Sequence, residues 1–291
     1  MSRILNTKIK PYILLIPALT ILIGIFISGL IMGLVQSFGY FSVIGLKDFT
    51  LKYYFEVLTD KDFLQSLRFS FYISLISSVI AVIVGVILAY SILRSRHKKS
   101  IEEFIYKLPI IVPHTIAALL VYNLFSQSGV VPRIFYNIGI IDSQSQFPSL
   151  VFDRVGIGII IAYLWKEIPF IAMVVYTILS NINDKLVEVA LNLGANNRQV
   201  FWHILLPLIM PSIFSSFIII FAFSFGAFEV PYLLGPTTPK TLPVKAYIEY
   251  TNPDLTNRPY TMVINMILTF ISVLFVWIYS RTFKLISKYN G

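Results

Sequence analysis

Six apolar runs constrain this chain more than any other feature, at about 12–37, 69–93, 108–125, 155–179, 212–234 and 260–279. At about 1.5 Å of rise per residue, a helix of roughly 20 residues crosses a hydrocarbon core of about 30 Å. Within that core the backbone must satisfy its own hydrogen bonds, which makes a helix the structure for runs of this length. The chain is 57% hydrophobic and 13% charged, against about 25% charged in an ordinary globular domain, so it lacks the polar surface of a soluble fold. The expected fold class is all-α: a single polytopic membrane domain, 1–291, with six transmembrane helices.

The flanks orient those spans. Arg3, Lys8 and Lys10 precede the first run, which is longer than the apolar core of a signal peptide and is followed by no small-residue cleavage site. It reads as an uncleaved first span. Arg94, Arg96, Lys98 and Lys99 abut the second run, and Arg281, Lys284 and Lys288 follow the sixth. Lys and Arg collect on cytoplasmic flanks, so both termini are expected in the cytoplasm. The segments 39–68, 128–154 and 235–259 then face outward. The net charge of +9 belongs to these flanks, and no nucleic-acid partner is expected. With no cysteine, the chain has no disulfide framework or thiolate metal site.

One stretch between the fourth and fifth runs is polar and helix-patterned: NDKLVEVALNLGANNRQVFWHILLPLIMP, residues 183–211. Asn183 or Asp184 can cap a first short helix, with Leu186, Ala190 and Leu193 recurring on one face. Gly194 supplies the permissive backbone where that helix ends. Asn196 or Asn197 can cap a second helix with Phe201, Ile204, Leu205 and Leu208 on its apolar side. Pro207 and Pro211 are expected to interrupt it before the fifth span. The product is a helix–turn–helix elbow at a membrane surface. It lacks the Lys/Arg-rich polar face of a helix that lies on lipid.

Transport against a gradient needs an energy source, and the chain has no G-x-x-x-x-G-K-[ST] phosphate loop, dinucleotide fingerprint or metal-ligand cluster. No nucleophile with a positioned base accompanies His97, His114 or His203, which argues against a membrane-embedded hydrolase; His114 reads as a packing or hydrogen-bonding residue. An ion-coupled secondary transporter is the main rival, yet the ionisable residues within the spans are few: Lys166, Glu167 and Glu229. Lys166 and Glu167 are about 100° apart on a helix and cannot readily face each other. Each needs a partner on another span or a wet cavity, so both are candidates for a translocation path. Glu229, near the outer face, could attract a cationic solute or be a solvated interfacial carboxylate.

The elbow resembles a known loop. Glu188-Val189-Ala190, then Gly194-Ala195, Phe201, Ile204, Leu206-Pro207 and Pro211 are similar to the EAA loop of the permease subunits of binding-protein-dependent ABC importers. Val189 stands where that pattern usually has Ala. Trp165, Pro169-Phe170 and Ile182 resemble the lead-in to the loop, and Tyr12–Ala18 with Pro17 resembles the first-helix signature of six-span members. The resemblance implies a coupling helix that docks on a cytoplasmic ABC ATPase dimer, with Glu188, Ala190, Gly194, Ala195, Ile204 and Pro207 as coupling residues. It also implies a second permease subunit, expected to be a different chain, an extracytoplasmic solute-binding protein, and the bacterial inner membrane as location. This chain would bind no cofactor; ATP and Mg would sit on the partner ATPase. Residues 228–235, Leu242-Pro243-Val244 and Arg258-Pro259 look most like spermidine/putrescine-type permeases, which implies a small charged solute such as a polyamine.

Overall fold

The computed structural model describes the backbone of residues 2–94, 108–182 and 184–289, and the side chains of 11–94, 108–182 and 185–281. The expected cap at Asn183, the cluster Arg96–Lys99 and the side chains of Arg3, Lys8, Lys10, Lys284 and Lys288 lie outside these. The described residues are helical, with a lone bridge between Phe41 and Leu46. Among the described residues six helical segments, with 114–137 taken as one, are long and apolar enough to cross a membrane. Packing divides the chain into two compact units, residues 1–60 with 246–269, and residues 61–245 with 270–291.

The first unit contains α1 (Ser2–Ser37) and α2 (Lys52–Thr59). Leu14, Ile21, Leu22, Ile25 and Phe26 are all exposed around α1, the pattern of a helix that is apolar on every side and meets lipid or another chain. At its end, Ser37 Oγ lies 2.8 Å from the Tyr54 hydroxyl. The Tyr260 hydroxyl donates to Asp60 at 2.6 Å.

The second unit carries the functional elements. Its helices are α3 (Lys61–Arg94), α4 (His114–Phe125), α5 (Val130–Asn137), α6 (Ile157–Leu179), α7 (Asp184–Asn192), α8 (Asn197–Gly226) and α9 (Glu229–Leu234). The chain ends with α10 (Leu242–Tyr250) and α11 (Arg258–Tyr289). The α3–α6 pair is the spine. Ser66, Ser70, Ser74, Ser77 and Ser78 are buried along one side of α3, and small residues of this kind let membrane helices approach closely. A Cβ at Gly85 would lie 2.7 Å from Ile171 Cβ, so only glycine fits there. Two buried clusters result, one around Ile73, Ile159, Tyr163 and Leu234, the other around Ile171, Val175, Leu205 and Ile209.

Three differences from the expected spans matter for function. The third run is broken, because helix 108–111 ends at Val112 and α4 starts only after Pro113. The fifth run is not an isolated helix over 212–234. Its helix begins in the elbow at Asn197, passes Pro207 and Pro211, ends at Gly226, and is followed by the separate α9. Pro207 does not terminate it because the helix widens into a π turn at Phe201–Leu205, where Leu206 N–H bonds Phe201 O. Finally, the segment 128–154 between the third and fourth runs contains α5.

Candidate functional site

The elbow is closed by local hydrogen bonds. At the end of α7, Gly194 N–H donates to Leu191 O and Ala195 N–H to Ala190 O, both at 3.0 Å. This paired reversal requires a left-handed residue, and Gly194 has φ +91°. Ala190 and Ala195 are the half-buried contacts beneath it. Asn196, the expected cap, accepts from Gln199 N–H at 2.9 Å while its own N–H donates to the Gln199 side chain at 2.8 Å. Two helices therefore meet at a turn held by groups at most five residues apart.

The expected face of Leu186, Ala190 and Leu193 is divided, with Ala190 on the core and the two leucines outward. Val187 and Ala190 pack on the core together with Ala195 and Ile204. Leu186, Val189 and Leu193 are 51%, 56% and 83% exposed and form an outward apolar stripe at helical spacing. Glu188 and Pro207 are exposed, Pro207 within α8. A groove of about 440 Å³ runs between the Leu193–Ala195 turn and Gln199, His203 and Ile204 of α8. A Cβ on Gly194 would meet no atom within 4 Å, so the space over the turn is open to another chain.

The intramembrane charges form a second site. Lys166 is 8% exposed and Glu167 5%; they do not pair, and each bonds a different segment. Pro113 has no N–H for the helical bond to Pro109 O. Lys166 Nζ takes that place, donating to Pro109 O at 3.1 Å and to Val112 O. The break in the third span is thus capped by a side chain of the fourth, as irregular backbone at membrane depth requires. Glu167 Oε1 accepts from the Ser224 hydroxyl of α8. Its Oε2 is buried beside the Ser77 hydroxyl, which is shared with Ser74 O at 3.3 Å.

Both residues line a cavity of about 220 Å³. Ile110, Phe170 and Ile220 form its walls, and the exposed Ile219 and Phe223 stand at its mouth. His114 also lines it, with its ring 4.7 Å from that of Phe223. His114 packs on Phe223 at the start of α4, just after the break at Pro113. Glu229 is exposed at the start of α9. The structure therefore brings Lys166 and Glu167 to one cavity, leaves Glu229 outside its lining, and keeps the elbow residues at a separate groove.

Residues 63–286 match the family model described as "Binding-protein-dependent transport system inner membrane component". The chain belongs to that family. It is a permease subunit of an ABC importer, with six apolar helices suited to the inner membrane of its relatives. Among these is a probable ABC transporter permease, YurN of Bacillus subtilis, 29% identical over 237 residues, covering 79% of this chain and 80% of the relative. The spermidine/putrescine permease PotB of Escherichia coli is 26% identical over 246 residues, 82% of this chain and 85% of PotB. A probable sulfate permease, cysT of Marchantia polymorpha, is 27% identical over 177 residues, 60% of this chain and 58% of the relative. The fold matches a chain of a bacterial alginate ABC transporter solved with an alginate-loaded periplasmic protein, at TM-score 0.76 and 20% identity over 98% of each chain.

Proposed function

We propose that this permease forms half of a solute pathway and receives its power at the elbow, from a separate cytoplasmic ATPase. The observation that carries this is the stripe Leu186, Val189 and Leu193, which is apolar, exposed and rigidly presented beside the open Gly194 turn. Glu188, Ala190, Gly194, Ala195, Ile204 and Pro207 hold or border that surface and act as the coupling residues. ATP and Mg bind the ATPase, and this chain hydrolyses nothing. Because α8 is continuous from the elbow to Gly226, a push at Asn197 reaches the end of the fifth span as a rigid-body movement. A second permease, a different chain, completes the pathway, and an extracytoplasmic binding protein delivers a small charged solute, such as a polyamine, to the outer segments.

Gly194→Asp tests the coupling. The variant is expected to insert and assemble but to lose stimulation of ATPase activity by the solute-loaded binding protein; full stimulation would refute the docking role. The orientation is tested on the cysteine-free chain with Asn196→Cys. An impermeant thiol reagent should label it only after the cells are opened, and labelling of intact cells would invert the topology.

A further inference from the structure

The short helix α5 is turned back at the end of the third span, where Gly129 N–H donates to Ser126 O at 2.7 Å. A Cβ on Gly129 would lie 2.6 Å from Leu124 O, so only glycine permits so close a turn. Because α6 runs from this segment to the elbow, α5 stands at the membrane face opposite the elbow. Its inner side is fixed by the buried Pro132 and by Phe135, whose ring lies 6.0 Å from that of Phe147. Its outer side is apolar: Val130, Ile134 and Ile138 recur every four residues and are all exposed. Beside this stripe a pocket of about 420 Å³ opens between α5 and the 141–144 turn. Arg133, Tyr136 and Asn137 reach it from α5, and Ser128 and Gln144 add to its polar lining. Arg133 Nε donates to Ser128 O at 3.0 Å, while its two terminal nitrogens bond no described residue. No acid is among the lining residues, and Asp142, the nearest in sequence, stands outside them. The pocket thus gathers donors around a positive charge and holds no anion of its own.

We propose that α5 is an interfacial helix whose pocket holds the phosphate of an anionic phospholipid, with Arg133 as the residue that pairs with it. A helix of this kind lays apolar side chains among the acyl chains and keeps its basic group at headgroup level. Val130, Ile134 and Ile138 supply the first part and Arg133 the second. The tight turn at Gly129 sets the depth, because it joins α5 directly to a membrane span. A guanidinium offers parallel N–H groups to two phosphate oxygens, and tyrosines such as Tyr136 collect at the same depth. With no acid in the lining, the positive charge favours a headgroup of net negative charge over a zwitterionic one.

This placement rests on the membrane spans and on neither the elbow nor the identity of the solute. Ile134→Cys in the cysteine-free chain is labelled with a fluorophore, and the permease, with whatever subunits accompany it, is placed in phosphatidylcholine vesicles. Brominated acyl chains quench a fluorophore that they touch, so titration with brominated phosphatidylglycerol or brominated phosphatidylcholine reads which lipid sits on the stripe. The phosphatidylglycerol is expected to quench at a mole fraction at least threefold lower, and Arg133→Gln should erase that preference. Should Arg133→Gln not accumulate, Arg133→Lys carries the test and should at least halve the preference, since it loses the paired donors. No quenching by either lipid, whether water or a co-purifying protein covers the stripe, would overturn the proposal. So would equal quenching by both lipids, or a preference unchanged by the variant measured. A preference removed by excess inorganic phosphate, but not by chloride at equal ionic strength, would mark a site for the free ion and overturn it as well.

Discussion

At the elbow, Leu186, Val189 and Leu193 point outward from a turn whose backbone is bonded by its own neighbours. In the cavity, Lys166 and Glu167 point inward and are bonded to groups 54 and 57 residues away in sequence. Each arrangement is costly on its own, because water penalises an exposed apolar stripe and a membrane interior penalises buried charge. On the proposed coupling role the elbow leaves its cost to a partner chain, while the cavity meets most of its cost internally. An exposed turn such as the elbow can therefore be built from contiguous sequence, whereas a charged site at membrane depth needs several spans in register.

This contrast can be broken by measuring the stability of the purified permease. Lys166→Met should have the largest effect, about 3 kcal/mol, because two carbonyls lose a charged donor; chemical denaturation in a fixed detergent measures it. Pro113→Ala restores an N–H for Pro109 O, so in that background the Lys166→Met loss should fall by about half. A strictly additive double mutant would show that Lys166 does not substitute for the missing N–H. Asn196→Ala should cost about 1 kcal/mol as a lost helix cap. Leu193→Ser should change stability by less than about 0.5 kcal/mol while abolishing ATPase stimulation. A large stability loss there would mean the stripe serves this chain's own packing. Glu229→Gln should leave stability unchanged and weaken uptake of a cationic solute, and unaltered transport kinetics would remove Glu229 from the path.

Features governed by local chemistry were legible in the sequence. The six apolar runs gave the class of fold, and the Gly194 turn and the Asn196 cap follow from backbone preferences within a few residues. That Lys166 and Glu167 could not face one another followed from helix geometry alone. Their partners did not, because neither Pro109 O nor Ser224 advertises its position across the bundle. The outward face of α7 was legible only in part, since Ala190, grouped with Leu186 and Leu193, packs on the core and Val189 takes its place. Periodicity finds the apolar face of a helix, but Leu186 and Leu193 would look the same whether they served the core or a partner. Pro207 misled as well, since a π turn accommodates it without ending the helix.

The central claim, that the outward stripe of α7 is the seat of an ATPase, is open to direct capture. Single cysteines at Leu193, on the stripe, and Val187, packed on the core, can be placed in the cysteine-free chain and probed with a short photo-crosslinker in the native membrane. Leu193→Cys is expected to join the co-purifying ATPase and Val187→Cys is not. Capture of lipid alone at Leu193→Cys, with no link to the ATPase, would contradict the account.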